Sequence, residues 1–147
     1  MAKKTWIQKR DEHAYPAERK MTSKGMMYIS TPKEINEIIV EIPKGKLITT
    51  KQIVERLTSK HKVDFTCPLT TGIFISILAN AAKEEMDSGK KKIVPFWRVI
   101  KPNGEIYDVH MRVPSRQEDL LEIEGYKFSK KYKLPRVIDF EKYLVAD

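Results

Sequence analysis

Cys67 is the one thiol in this 147-residue chain. It stands just ahead of a stretch that reads as a helix, and a thiol beside a helix N-terminus ionises more readily than a free one. A reactive Cys67 is one reading; a buried structural thiol is the favoured one. A single cysteine excludes an internal disulfide and a cysteine zinc cluster. His13, His61 and His110 are scattered without ligand partners, so no metal site is expected. The aromatic pair Phe96-Trp97 could stack a base or fill the core behind Arg98, with core filling favoured. The run Lys90-Lys91-Lys92 suits phosphate contact, ahead of a merely solvated turn. No catalytic or cofactor-binding constellation emerges from these residues.

Composition sets the frame for those groups. Hydrophobic residues make up 41% of the chain, enough for a packed core. No apolar run approaches the ~20 residues of a membrane helix, and Met1 to Trp6 starts basic without a following apolar stretch. A cytoplasmic monomer without membrane contact is expected. With 28 Lys and Arg against 20 Asp and Glu, the formal net charge is +8 and the pI about 9.5. Such a surface attracts polyanions, nucleic acid first among them.

Residues 1 to 30 read as a basic N-terminal arm, mostly irregular, with a short strand at Met26 to Ile29. Thr31-Pro32-Lys33-Glu34 has the form of a capping box with proline at the first helical position. Ile35, Ile38, Ile39 and Ile42 then follow at helical spacing, and Pro43 to Lys46 turns the chain. A second helix starts at Thr49 or Thr50, with Ile53, Val54 and Leu57 as its apolar side; Thr58 to Leu69 reads as a loop. A third helix runs from Thr70 or Thr71 to about Asp87. Its first half is apolar on most sides, the mark of a buried helix. Ile93 to Ile100 is β-rich, Lys101-Pro102-Asn103-Gly104 is a turn, and Glu105 to Tyr107 reads as the return strand of a hairpin. Ser115 to Glu118 has the form of a capping box for a fourth helix, and Gly125 is its stop. The tail suggests a strand pair or a docking extension. The order is that of a winged helix-turn-helix: mainly α with a small β-hairpin.

Four segments carry a resemblance. Ile42-Pro43-Lys44-Gly45-Lys46-Leu47-Ile48-Thr49-Thr50-Lys51-Gln52-Ile53 resembles the opening of the alkylguanine-DNA alkyltransferases, Pro-x-Gly-x-Val-x-(Thr/Ser)-Tyr-x-x-Ile/Leu. Val94-Pro95-Phe96-Trp97-Arg98-Val99-Ile100 resembles their Ile-Pro-Cys-His-Arg-Val-Val signature, Asn103-Gly104-Glu105-Ile106 the turn after it, and Leu120-Leu121-Glu122-Ile123-Glu124-Gly125 their Leu-Leu-x-x-Glu-Gly close. The segments occur in order, at near-family spacing, over about residues 35 to 128.

The resemblance implies a DNA-binding domain of the alkyltransferase type over 31–128, between the arm (1–30) and a C-terminal extension (129–147). In those enzymes a cysteine thiolate takes the alkyl group from a flipped guanine, a histidine removes its proton through water, and a glutamate orients the histidine. Here the cysteine position is Phe96 and the histidine position is Trp97, while Glu124 keeps the glutamate. The chain is thus similar to the alkyltransferase-like branch that lacks the cysteine, and no enzymatic activity is expected. Thr50 replaces the tyrosine expected at the second helix. The arginine that fills the hole left by a flipped base aligns to Leu69 or Thr71, and Tyr107 to Pro114 replaces the pocket-rim loop. The expected DNA contacts are Thr49, Thr50, Lys51, Leu69, Thr70, Thr71, Ser76, Asn80, Lys90, Lys91, Lys92 and Arg98. The implied function is non-catalytic binding of double-stranded DNA, linked to repair or damage sensing, with a repair protein as a further candidate partner. The alternative is a protein-interaction scaffold on the same fold, with a filled guanine pocket and no lesion recognition.

Overall fold

A computed structural model describes residues 5–12, 16–106 and 114–146, with the side chains of the last helix described from Gln117. The described residues form five α-helices. Helix α1 spans Trp6–Glu12, α2 Pro32–Val40, α3 Thr50–His61, α4 Pro68–Asp87 and α5 Pro114–Ile123. Short strands tie them together. The hairpin β1 (Glu18–Thr22) and β2 (Gly25–Ile29) is extended by β4 (Phe65–Thr66), parallel to β2. Strand β3 (Ile48–Thr49) pairs in parallel with β5 (Val99–Ile100), and β6 (Phe128–Ser129) is antiparallel to β7 (Arg136–Val137).

Local chemistry explains most helix starts. Thr49 and Gln52 exchange both capping hydrogen bonds at α3, each at 3.0 Å. At α2 the expected box is half made: the Thr31 hydroxyl accepts from the Glu34 N–H at 3.2 Å, while the Glu34 carboxylate faces elsewhere. Helix α4 begins at Pro68, two residues before the expected Thr70, because proline suits the first turn and Cys67 serves as its N-cap. Residues 58–69 are correspondingly not all loop, since α3 continues to His61 and β4 follows. Gly125, at φ +97°, ends α5, and the Tyr126 N–H reaches back to the Leu121 carbonyl at 3.1 Å. Ser115 lies inside α5 with its side chain outside the described residues.

Helix α4 is the spine. Phe74, Ile75, Leu78, Ala79 and Ala82 are buried against Ile35 and Ile39 of α2, Ile53 and Leu57 of α3, and Phe96. A second cluster joins Leu47, Ile100, Ile106, Leu121, Tyr126 and Val137. The expected turn after Ile100 closes tightly, the Lys101 N–H donating to the Glu105 carbonyl at 2.9 Å, and both of its sides find further partners. Strand β5 lies beside β3, and Glu105 bridges to Arg136 of β7, so the return segment joins the C-terminal extension. Tyr107 lies outside the described residues. The tail ends by docking: the Leu47 N–H donates to the Tyr143 carbonyl, and Gln52 Nε2 to the Val145 carbonyl.

The arm is more ordered than its composition suggests. Thr5 and Gln8 cap α1 reciprocally, and the Glu84 carboxylate of α4 accepts from the Trp6 and Ile7 N–H groups. A carboxylate at a helix start satisfies free amides and complements the helix dipole. The β1–β2 hairpin is fastened by Glu34. Its carboxylate accepts from Tyr28 Oη at 2.6 Å, Ser30 Oγ at 2.7 Å and His61 Nε2 at 2.6 Å, with Lys60 at 3.2 Å. The His61 ring stacks on Tyr28 at 3.8 Å.

Burial works to raise the Glu34 carboxyl, but the hydrogen bonds from Tyr28, Ser30, His61 and Lys60 outweigh it and hold the group at about 2, against 4.5 when free. A depressed carboxyl contributes stability that is complete above the unfolded value and lost as pH falls through the folded one. The shift corresponds to on the order of 3 kcal/mol at neutral pH. Thermal melts of Glu34→Gln should therefore show a loss of stability at pH 7 that shrinks as pH falls from 4.5 towards 2, as the wild-type carboxyl takes up its proton. A loss independent of pH across that window would contradict this assignment.

Candidate nucleic-acid interface

Two helix starts meet on one face. Thr50 and Lys51 open α3, Pro68 and Gly72 lie in the first turns of α4, and Pro102 closes a groove of about 300 Å³ between them. Lys51 is exposed and Thr50 half-buried at its rim. Beside it runs an apolar groove of about 310 Å³ along α4, lined by Leu69, Ile73, Ser76, Ile77 and Trp6 of α1. Leu69 is 73% exposed, an apolar residue projecting from the first turn of a helix. Thr70 is half-buried next to it. Burial works to raise the Cys67 thiol, but the Thr70 hydroxyl and the backbone amides of Thr70 and Leu69 hold it below its ordinary value.

Several expected contacts are committed to the fold instead. Thr49 is 5% exposed and its hydroxyl is the α3 cap. Thr71 is buried and donates to the Cys67 carbonyl at 2.8 Å; Asn80 is buried and donates to the Ser76 carbonyl at 2.9 Å. Arg98 is enclosed by its carboxylate partner, described below. These four side chains are held by bonds within the fold, while Thr71 also lines the α3–α4 groove. Lys90 is held in an ion pair by Glu85, which also takes Arg10 at 2.8 Å. Burial tends to raise Glu85, yet Lys90 and Arg10 keep it below the usual carboxylate value. Lys91 and Lys92 are exposed beyond the end of α4. Twenty helical residues span about 30 Å, so the lysine run and Leu69 stand at opposite ends of α4.

The resemblance places a thiol and an imidazole at Phe96 and Trp97. Phe96 is 1% exposed within the main core, edge-on to the Trp97 ring at 5.4 Å. The Trp97 indole N–H donates to Glu124 Oε2 at 2.6 Å. Arg98 Nη2 reaches the same oxygen at 2.9 Å, and its Nη1 donates to the Ile42 carbonyl at 2.7 Å. Burial would raise the Glu124 carboxyl, but Arg98 first, then Trp97 and the Gly45 backbone, hold it below its free value. The carboxylate thus pairs with an indole N–H and a guanidinium. Neither partner accepts a proton near neutral pH.

Sequence reasoning missed Gln117. It is fully buried, and its Nε2 donates to the carbonyls of Trp97 at 3.2 Å and Val99 at 2.8 Å, fixing the strand that carries the cluster. Its signal was helical spacing, since Gln117 and Leu121 fall on one face of α5, with Glu124 just past its end. Trp6 of the arm packs as a wall of the α4 groove. The rim segment Tyr107 to Val113, and with it His110, lies outside the described residues, as does His13.

Truncating Phe96 tests whether it is core. Deleting a buried aromatic side chain leaves a cavity, so Phe96→Ala should lower unfolding free energy by about 3–5 kcal/mol in a denaturant titration. An unchanged midpoint would mean that the ring faces solvent.

No family model matches the sequence, and no curated protein matches it by sequence. Solved structures do match by shape. The crystal structure of S. pombe ATL in complex with DNA aligns with a TM-score of 0.57 at 21% identity, covering 79% of this chain and 94% of that one. That of S. pombe Atl1 in complex with damaged DNA containing O6-carboxymethylguanine aligns with a TM-score of 0.55 at 20% identity, over the same shares. The chain has the alkyltransferase-like fold.

Proposed function

We propose that this protein is a non-catalytic, alkyltransferase-like DNA-binding protein that engages duplex DNA in a repair setting. The observation that carries the reading is that its fold is shared with chains bound to DNA, one of them to a damaged duplex. The net charge of +8 supplies the long-range attraction a polyanion needs. The face that fits best is the shared start of α3 and α4, where Lys51 and Thr50 offer phosphate contacts and Leu69 projects beside them. The absence of a thiol at Phe96 and the pairing of Trp97 with Glu124 argue against alkyl transfer.

Two measurements test this. After incubation with duplex containing an alkylated guanine, intact-mass spectrometry should return unmodified protein; an alkyl adduct on Cys67 would overturn the non-catalytic reading. In anisotropy titrations across a salt series, Lys51→Ala should bind several-fold more weakly, with a slope shallower by about 0.9, the loss of one phosphate contact. Replacing Lys91 and Lys92 by alanine, a helix length away, should leave that slope unchanged. A wild-type protein without salt-dependent affinity for duplex would refute the DNA-binding assignment.

A further inference from the structure

We propose that the C-terminal β6–β7 hairpin is a second duplex contact, carrying the α3–α4 face onto the flanking phosphate backbone. This rests on the DNA-binding reading above. Residues 127–136 contain Lys127, Lys130, Lys131, Lys133 and Arg136 and no carboxylate, a charge of +5 in ten residues against +8 for the whole chain. Two of the five cations are used to brace the hairpin. Lys130 pairs with Glu118 of α5. The Arg136 guanidinium stacks on the Tyr132 ring at 3.6 Å and bonds Glu105 Oε1 at 3.3 Å. The other three, Lys127, Lys131 and Lys133, are exposed, and no carboxylate among the described residues lies in ion-pair range of them. A loop held at both ends by its own ion pairs, with uncompensated lysines on it, repels itself until a polyanion neutralises it. Because the loop is already held, less ordering entropy is lost on binding.

The hairpin is also in the right place. The Val137 N–H donates to the Gly104 carbonyl at 2.9 Å, and the Ile106 N–H to the Pro135 carbonyl at 3.2 Å. These bonds join β7 to the turn at 101–104, and Pro102 of that turn lines the groove with Thr50, Lys51 and Pro68. Gly104 makes the junction tight. At φ +88°, an added Cβ would stand 2.5 Å from Phe140 Cδ1. One turn therefore separates the basic hairpin from the proposed DNA groove, and a duplex seated there extends past it. Evenly spaced phosphates suit scattered lysines without a shaped pocket, whereas an acidic protein would need complementary relief.

The test is a salt series of anisotropy titrations on one labelled duplex. Lys131→Ala/Lys133→Ala should bind several-fold more weakly, with a slope shallower by about 1–2. Lys127→Ala/Lys131→Ala is an independent second variant with the same expectation. Lys131→Arg/Lys133→Arg should retain wild-type binding. Lys20→Ala/Lys24→Ala removes the same charge from the β1–β2 hairpin and should leave the slope unchanged. If Lys51→Ala weakens binding while both hairpin variants match wild type, the groove stands and the hairpin contact is refuted. An equal loss in Lys20→Ala/Lys24→Ala reduces the effect to net charge and also refutes it. A wild-type protein that does not bind duplex removes both readings.

Discussion

A carboxylate that is 7% exposed, Glu124, joins three parts of the chain that are far apart in sequence. It sits at the end of α5, takes hydrogen bonds from Trp97 and Arg98 just before β5, and through Arg98 reaches the Ile42 carbonyl after α2. A buried anion of this kind is stable only while its partners are in place; removing one leaves an uncompensated charge, at a cost of about 3–5 kcal/mol. The 3-10 turn at Phe96–Arg98 is therefore fixed from both sides, with Gln117 holding its carbonyls and Phe96 packed beneath. The β3–β5 pairing and the start of α3 follow directly from that position.

That constraint accounts for a division of labour. The residues that the alkyltransferase resemblance marks for chemistry serve packing and charge neutralisation here, whereas the starts of α3 and α4 keep exposed groups on an open face. An arginine in the signature segment looks like a DNA contact by charge alone, but it costs less free energy inside, against Glu124, than a lone carboxylate would. The helix that presents Leu69 is buried along most of its remaining length, so its exposed first turns are held rigidly by the core. A rigid platform suits recognition, because little order has to be gained on binding.

What could be read from the sequence was local. Thr31-Pro32 and Thr49 with Gln52 start helices through bonds to residues three positions away, and Gly125 stops one for the same reason of short range. What could not be read was the distant partner. Glu34 fits a capping-box spacing, yet Tyr28, Ser30 and His61 claim its oxygens. The arm appears unstructured by composition, yet α1 is stabilised by Glu84, more than seventy positions away. The turn at 101–104 closes as its sequence indicates, but its further partner, Val137, lies more than thirty positions on. For the site, the alkyltransferase resemblance singled out Lys51, Leu69 and the Phe96-Trp97 pair, but the burial of Thr49, Thr71 and Asn80 and the pairing of Arg98 with Glu124 were set by contacts within the fold.

The central proposal is that Phe96, at the position the resemblance gives to a thiol, is core, so that a bound duplex is engaged by its backbone and not by a flipped base at Phe96. The most direct test compares the wild-type protein on two duplexes identical except for one O6-alkylated guanine, at a single salt concentration. Equal affinities, within about twofold, are predicted. Binding to the alkylated duplex tighter by tenfold or more, about 1.4 kcal/mol, would contradict the account and show that a modified base still finds a pocket in this fold.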